Sequence, residues 1–246
     1  MSDNVINNNS RYGDDYYKLD ADIDCSSITL TPIGTKENPF KGNFDGNGHT
    51  ISNLTLAEAN NEGLFGYVDG ATIQNVTVSN LTTTPSTQKT VQTLGGIAGH
   101  AKNGKFENCT VESGNIKGSS YCILGGIVGS VEVDDASIER GTASALIKNC
   151  KVNSGVKISS EGSSYNKVGG IVGNVSVNSN QPCTSTSDFS LTNCECLAEF
   201  EKKDSIYAGG GLVGVLYEKD LRDAHNLPVY YHIGIHYSFF GGSGYN

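Results

Sequence analysis

The chain has 246 residues, enough for one domain with a sizeable core or two small ones, and no charge run divides it. Thirty-one glycines and no tryptophan argue against an ordinary helical protein, and runs of Ser, Thr, Asn, Val and Ile favour short strands and turns. A formal charge of −9 excludes a general affinity for nucleic acid or anionic membranes, and no apolar run is long enough to cross a bilayer.

Residues 1–15 are Asn-rich and lack any period, and read as a mobile tail. Met1 to Ser10 carries no apolar signal-peptide core, so the reading below implies a leader already removed. Residues 17–25 alternate: Leu19, Ala21, Ile23 and Cys25 are expected inward, with Asp20, Asp22 and Asp24 sharing the other face about 13 Å apart at the extremes. A second short apolar stretch, 28–33, stops at Gly34. Phe40 and Phe44 flank a segment closing on two turn dipeptides, Asp45-Gly46 and Asn47-Gly48. Beyond it, Ile51, Leu54 and Leu56 are inward candidates.

An internal repeat then governs the chain. A glycine motif occurs as Gly63-Leu64-Phe65-Gly66, then LGGIAG ending at Gly99, LGGIVG ending at Gly129, VGGIVG ending at Gly173 and GGGLVG ending at Gly214. A second motif follows the first four copies, centred on Asn75, Asn108, Asn149 and Asn193. Glycine to asparagine spans nine residues in the first two units and twenty in the next two, which places polar insertions in 131–142 and 175–188. The adjacent apolar pair in each glycine motif suits a corner or a strand covered on both faces. The recurring asparagine suits a left-handed corner, with its amide bonded to the asparagine of the neighbouring repeat. Units that cannot bury their own apolar face must stack, and the pattern predicts a parallel β-solenoid over 16–214.

Seven cysteines leave at least one unpaired within the chain, and no CxxC occurs. Cys109, Cys150 and Cys194 share one motif position and are expected inward as free thiols. With two coils per repeat they would stand about 9 to 10 Å apart, too far to bridge.

After Gly214 the pattern changes. Residues 215–246 hold the densest aromatic stretch, with Tyr230, Tyr231, Tyr237, Phe239 and Phe240. This segment reads as a strand or hairpin split at Gly234, serving as a cap or an assembly segment; Tyr230, Tyr231 and Tyr237 are the candidate ligand-contacting residues should it be a platform.

Several motifs in order resemble the GLUG-repeat family of bacterial secreted and surface proteins. They are residues 17–24 (YKLDADID), residues 39–51 (PFKGNFDGNGHTI) and Gly63-Leu64-Phe65-Gly66. The resemblance covers residue 16 to about 214. It implies a right-handed β-helix outside the cell, as in adhesin-like proteins and beside immunoglobulin A peptidase domains, and it carries no catalytic residues across.

Residues for chemistry are sparse. His232 and His236 stand four apart but lack the glutamate of a zinc-peptidase motif, and on a strand they are too distant to share a metal. His100 follows a glycine motif singly and reads as a surface residue. Thr82-Thr83-Thr84 does not recur at the repeat spacing. No catalytic set, metal site or cofactor is expected. The sequence therefore points to a non-catalytic extracellular module that mediates adhesion, presentation or interaction with a host or neighbouring surface protein or glycan. The alternatives are a polysaccharide lyase or glycosidase on the same fold and a self-assembling element stacking through its chain ends.

Overall fold

The computed structural model describes residues 15–87, 90–134, 144–161, 166–178, 188–201, 208–218 and 234–235. These residues form an all-β structure with no helix, built from four parallel sheets. One pass of the chain visits the sheets in order: Asn43–Asp45 in the first, Thr50–Ser52 and Thr55–Leu56 in the second, Asn61–Glu62 in the third and Phe65–Asp69 in the fourth. Thr72–Gln74 then returns to the first sheet beside Asn43–Asp45. Every pairing joins one pass to the next in parallel register, so each sequence repeat is one pass.

Register explains the residue types. Phe44, Ile73, Phe106, Ile147 and Leu191 stand in one column of the first sheet, and Ile235 holds the next position. Phe65, Ala98, Val128 and Val172 stand in another column of the fourth sheet. Most of these side chains are wholly buried. Apolar area stabilises at about 25 cal/mol per Å², so columns of this kind are the main favourable contribution. The corners are stacked too. Ile97 N–H donates to Ile127 O at 2.9 Å, and Ile127 N–H to Ile171 O at 3.0 Å. Backbone groups at these corners are thus paired through the stack.

One pass per repeat corrects the spacing expected for the cysteines. Thr110 pairs with Lys151 and Lys151 with Glu195, so Cys109, Cys150 and Cys194 are adjacent rungs about 4.8 Å apart. All three are free, as are Cys25, Cys122 and Cys196. Cys109 and Cys150 are buried and Cys194 half-buried; each thiol donates to a carbonyl of the preceding pass, those of Ile73, Phe106 and Ile147. Contact with the Cys109 thiol and desolvation hold the Cys150 thiol well above its ordinary range.

The first pass also differs from its expectation. Residues 17–25 are not one strand but two short ones, Tyr16–Lys18 in the first sheet and Ile23–Asp24 in the second. The corner between them leaves Ala21 and Ile23 exposed while Leu19 and Cys25 are buried. The three aspartates therefore do not share a flat face. Asp22 accepts the Thr50 N–H at 2.9 Å and pairs with the His49 ring at 3.0 Å, whereas Asp24 accepts the Asn53 amide at 2.9 Å. Ile33 and Phe40 bridge to Phe65 and Val68 and cover the edge of the fourth sheet. Phe40 and Phe44 pack on Phe65 with centroids 4.9 and 5.3 Å apart, and Tyr17 packs on Phe40 at 5.8 Å.

The insertions begin inside the core. Val128–Asp134 and Val172–Asn178 run in register, and Val131 and Val133 are buried. At the far end, Val213–Glu218 carries the fourth sheet past residue 214, and Gly234–Ile235 pairs in parallel with Ser190 and Leu191.

Candidate functional site

The two repeated motifs lie at different corners. Asn75, Asn108, Asn149 and Asn193 turn the chain from the first sheet to the second, all at φ between 52° and 54°. Their side chains form one ladder in which each amide donates to the oxygen one pass earlier: Asn193 to Asn149 at 3.4 Å, Asn149 to Asn108 at 3.1 Å and Asn108 to Asn75 at 2.9 Å. Asn75 donates at 3.0 Å to Asp45, which begins the ladder. Only an acceptor is required at that position, and a carboxylate is acceptor-only. Desolvation opposes its ionisation, but the Asn75 amide and the Asn47 N–H outweigh it and hold the Asp45 carboxyl below the usual range.

A second ladder has the same construction. Asn80 donates to Asn53 at 2.7 Å and Asn53 to Asp24, and both asparagines have positive φ. The repeated tetrapeptide Ser-Asn-Leu-Thr at 52–55 and 79–82 is the signal that reveals this pair in the sequence. In the third pass Gly114, at φ 132°, stands opposite Leu81, and the strand Thr110–Gly118 runs on.

The glycine motifs fold the third sheet onto the fourth. A Cβ on Gly99 would lie 2.6 Å from Glu62 N and 2.8 Å from Asn61 C, and one on Gly129 2.7 Å from Leu94 O. The backbones of the two sheets thus touch directly, which only glycine permits. Gly66, Gly173 and Gly214 hold equivalent places on the fourth sheet. In a later pass the fold is fastened by Lys167 Nζ donating to Asn174 Oδ1 at 2.9 Å.

In the first passes this fold opens into a cleft of about 500 Å³. Tyr67, His100 and Glu132 line it from the fourth sheet; Asn61 lines it from the third, and Asn60 and Thr90 from the segments leading into the third. The excursion carrying Lys36 and Glu37 completes its rim. Sequence reading placed His100 as a lone surface residue. Its ring instead stacks on Tyr67, with centroids 4.5 Å apart and planes 14° apart, and Nε2 lies 3.3 Å from Glu132 Oε2. Register brings these residues together, since Tyr67 pairs with His100, and Lys102 with Glu132.

Behind the cleft's Ala59–Asn61 wall lies a buried polar group that sequence reading missed. Glu62 and Gln92 are both fully buried. Glu62 accepts the Ala59 N–H at 3.0 Å, the Thr84 N–H at 3.1 Å and the Gln92 amide at 2.7 Å. Gln92 also donates to Thr84 O and accepts from Ser86 and Ser119 N–H. Desolvation raises the Glu62 carboxyl to about 7 against those three donors.

Among the described residues no group of three His, Cys, Asp or Glu could hold a metal ion. No described helix is long and apolar enough to cross a membrane, which says nothing of a β-barrel. Tyr230, Tyr231 and Tyr237 lie outside the described residues, as do His232 and His236.

No family model matches the chain, and no solved structure matches it. Over 154 residues it is 32% identical to Halomucin of Haloquadratum walsbyi, an alignment covering 56% of this chain. The chain spans about 2% of the length of that relative.

Proposed function

We propose that the chain winds as a right-handed parallel β-helix of the GLUG-repeat kind and serves as a non-catalytic module of a secreted or cell-surface protein. The observation that carries this is the parallel register of one sequence repeat per pass across all four sheets. Parallel crossovers are right-handed in about 98% of cases, which supports that hand. Stacked units form a rigid, extended scaffold able to present a lateral surface. The similarity to Halomucin supports placement outside the cell, where a host or neighbouring surface protein or glycan is the partner.

The test is accessibility on intact cells that make the protein. An impermeant lysine-reactive label should modify it before lysis, and full protection until lysis would overturn the surface reading. Solution mass separates an isolated module from one that stacks end to end: a mass rising with concentration would favour the assembly alternative.

A further inference from the structure

We propose that the cleft between the third and fourth sheets is a binding site for a neutral saccharide of one or two rings. This deepens the surface-module reading and rests on it for its biological setting, but its chemistry stands on the cleft alone. The volume of about 500 Å³ falls within the roughly 300 to 1,000 Å³ typical of small-molecule sites. Its walls differ in kind. Pro32 and Val91 give it apolar lining beside the stacked Tyr67 and His100 rings, while Asn60 and Asn61 supply amides and Glu132 a carboxylate. A sugar ring presents the matching surfaces, an apolar C–H face edged by hydroxyls that each donate and accept. Amides satisfy both roles of a hydroxyl, and a carboxylate accepts strongly.

Two other ligand classes fit less well. A peptide strand needs an open sheet edge, and here the Gly66 and Tyr67 N–H groups already donate to Ile33 and Gly34 O. An acidic glycan would meet Glu37 and Glu132 against the single Lys36, on a chain of net charge −9. The site is also rigid. Tyr67 and His100 sit on strands whose neighbouring glycines lock the two sheets backbone to backbone, so little ordering is required on binding.

The experiment titrates the purified chain with maltose, cellobiose, lactose, chitobiose and mannobiose, with digalacturonate and a pool of unstructured peptides as contrasting probes. Saturation-transfer NMR detects binding and calorimetry measures it. At least one neutral disaccharide should bind. His100→Ala and the isosteric Glu132→Gln should each weaken it on the order of tenfold, the effect of one lost charged hydrogen bond or ring contact. Lys148→Gln, exposed on the first sheet, should leave it unchanged. Should His100→Ala melt early, Glu132→Gln alone decides. No neutral binder, binding only of digalacturonate or peptide, or affinity indifferent to both substitutions would overturn the proposal. Cell-surface labelling is independent of this result, so a failed cleft and a failed surface assignment are told apart.

Discussion

An asparagine at a left-handed corner both tolerates positive φ and donates its amide to the preceding pass, and these two contributions separate by substitution. Asn108 sits at φ 54° with its amide donating to Asn75 and its oxygen accepting from Asn149. Glycine keeps the backbone and loses the amide; alanine loses both. Asn108→Gly should cost about 1 kcal/mol and Asn108→Ala about 2, since αL strain adds roughly 1 to 2 kcal/mol. Urea unfolding followed by tyrosine fluorescence reads the difference, and equal costs would show that the ladder's hydrogen bonds, not its backbone, set the choice of residue. Glu62 gives a pH-dependent counterpart. Its folded value of about 7 exceeds the ordinary 4.5, so between those values the folded chain holds a proton that the unfolded chain has released. Stability should therefore fall as pH rises from about 4.5 to 7 and level off above, by on the order of 3 kcal/mol at about 1.4 kcal/mol per unit. Glu62→Gln should flatten that window in melting curves at pH 5 and 8. Asp24 and Asp45, held low by the Asn53 and Asn75 amides, act in the opposite sense and only in more acid solution: their stabilisation is lost as pH falls through their lowered values. The repeated asparagines were legible because a corner fixes one residue type at one motif position. Glu62 was not, because its partner Gln92 is thirty residues away and no local pattern marks either.

At the scale of elements, the glycine motif was legible as a corner or a close backbone approach, but the segments that meet there were not. Adjacent apolar residues announce a change of face and the glycines beside them allow a close approach; nothing local names the backbone that approaches. The distinction is testable. Ala at Gly99 meets Glu62 N and Asn61 C, backbone atoms that cannot rotate away, whereas Gly48 at φ 79° has nothing within 4 Å. Gly99→Ala should cost about 3 kcal/mol or more by overpacking, against about 1 kcal/mol for Gly48→Ala from strain alone. Comparable denaturation midpoints for the two would mean the sheets separate easily. The cysteine column makes a related point. The repeat length gives no count of coils per repeat, so the expected two coils and spacing of about 9 to 10 Å proved wrong, and the true spacing of one strand lies within bridging range. What protects the thiols is burial. The raised Cys150 thiol yields little thiolate, the reactive form. Iodoacetamide at pH 8 should leave Cys109 and Cys150 unmodified in the folded chain and alkylate both in urea, as read by mass spectrometry of peptides. Rapid labelling of the folded chain would show that this part of the stack opens.

For the whole molecule, the question is how a stack ends. A parallel stack leaves an apolar cross-section and open strand edges at both termini. The first pass closes one end with Phe40 and Phe44 packed on Phe65, and with the segment from Ile33 to Phe40 laid along the fourth sheet. At the other end burial declines. Val152 is fully buried, but Cys196 in the next position of its column is only half-buried, and Leu197 is 51% exposed. Leu212 and Val213 are likewise half-buried, although their counterparts Ile171 and Val172 are sealed. Against this, Gly234–Ile235 adds a parallel rung on Ser190 and Leu191, so the chain returns to the stack within the stretch that holds its densest run of aromatics. Burying two or three such rings is worth several kcal/mol, since each fully buried large apolar side chain contributes roughly 1.5 to 3. The exposed lysine–glutamate pairs on the side of the stack, such as Lys151 with Glu195 at 2.9 Å, cannot substitute, because surface ion pairs contribute about 1 kcal/mol or less. Deleting residues 219–246 should therefore uncover Asp188–Thr192 as a free edge, lower the melting temperature by several degrees and raise the solution mass through edge pairing. If the shortened chain stays monomeric with an unchanged melting temperature, the last pass is closed by its own residues. The aromatic segment would then be free to act as a contact surface, with Tyr230, Tyr231 and Tyr237 the first substitutions to make.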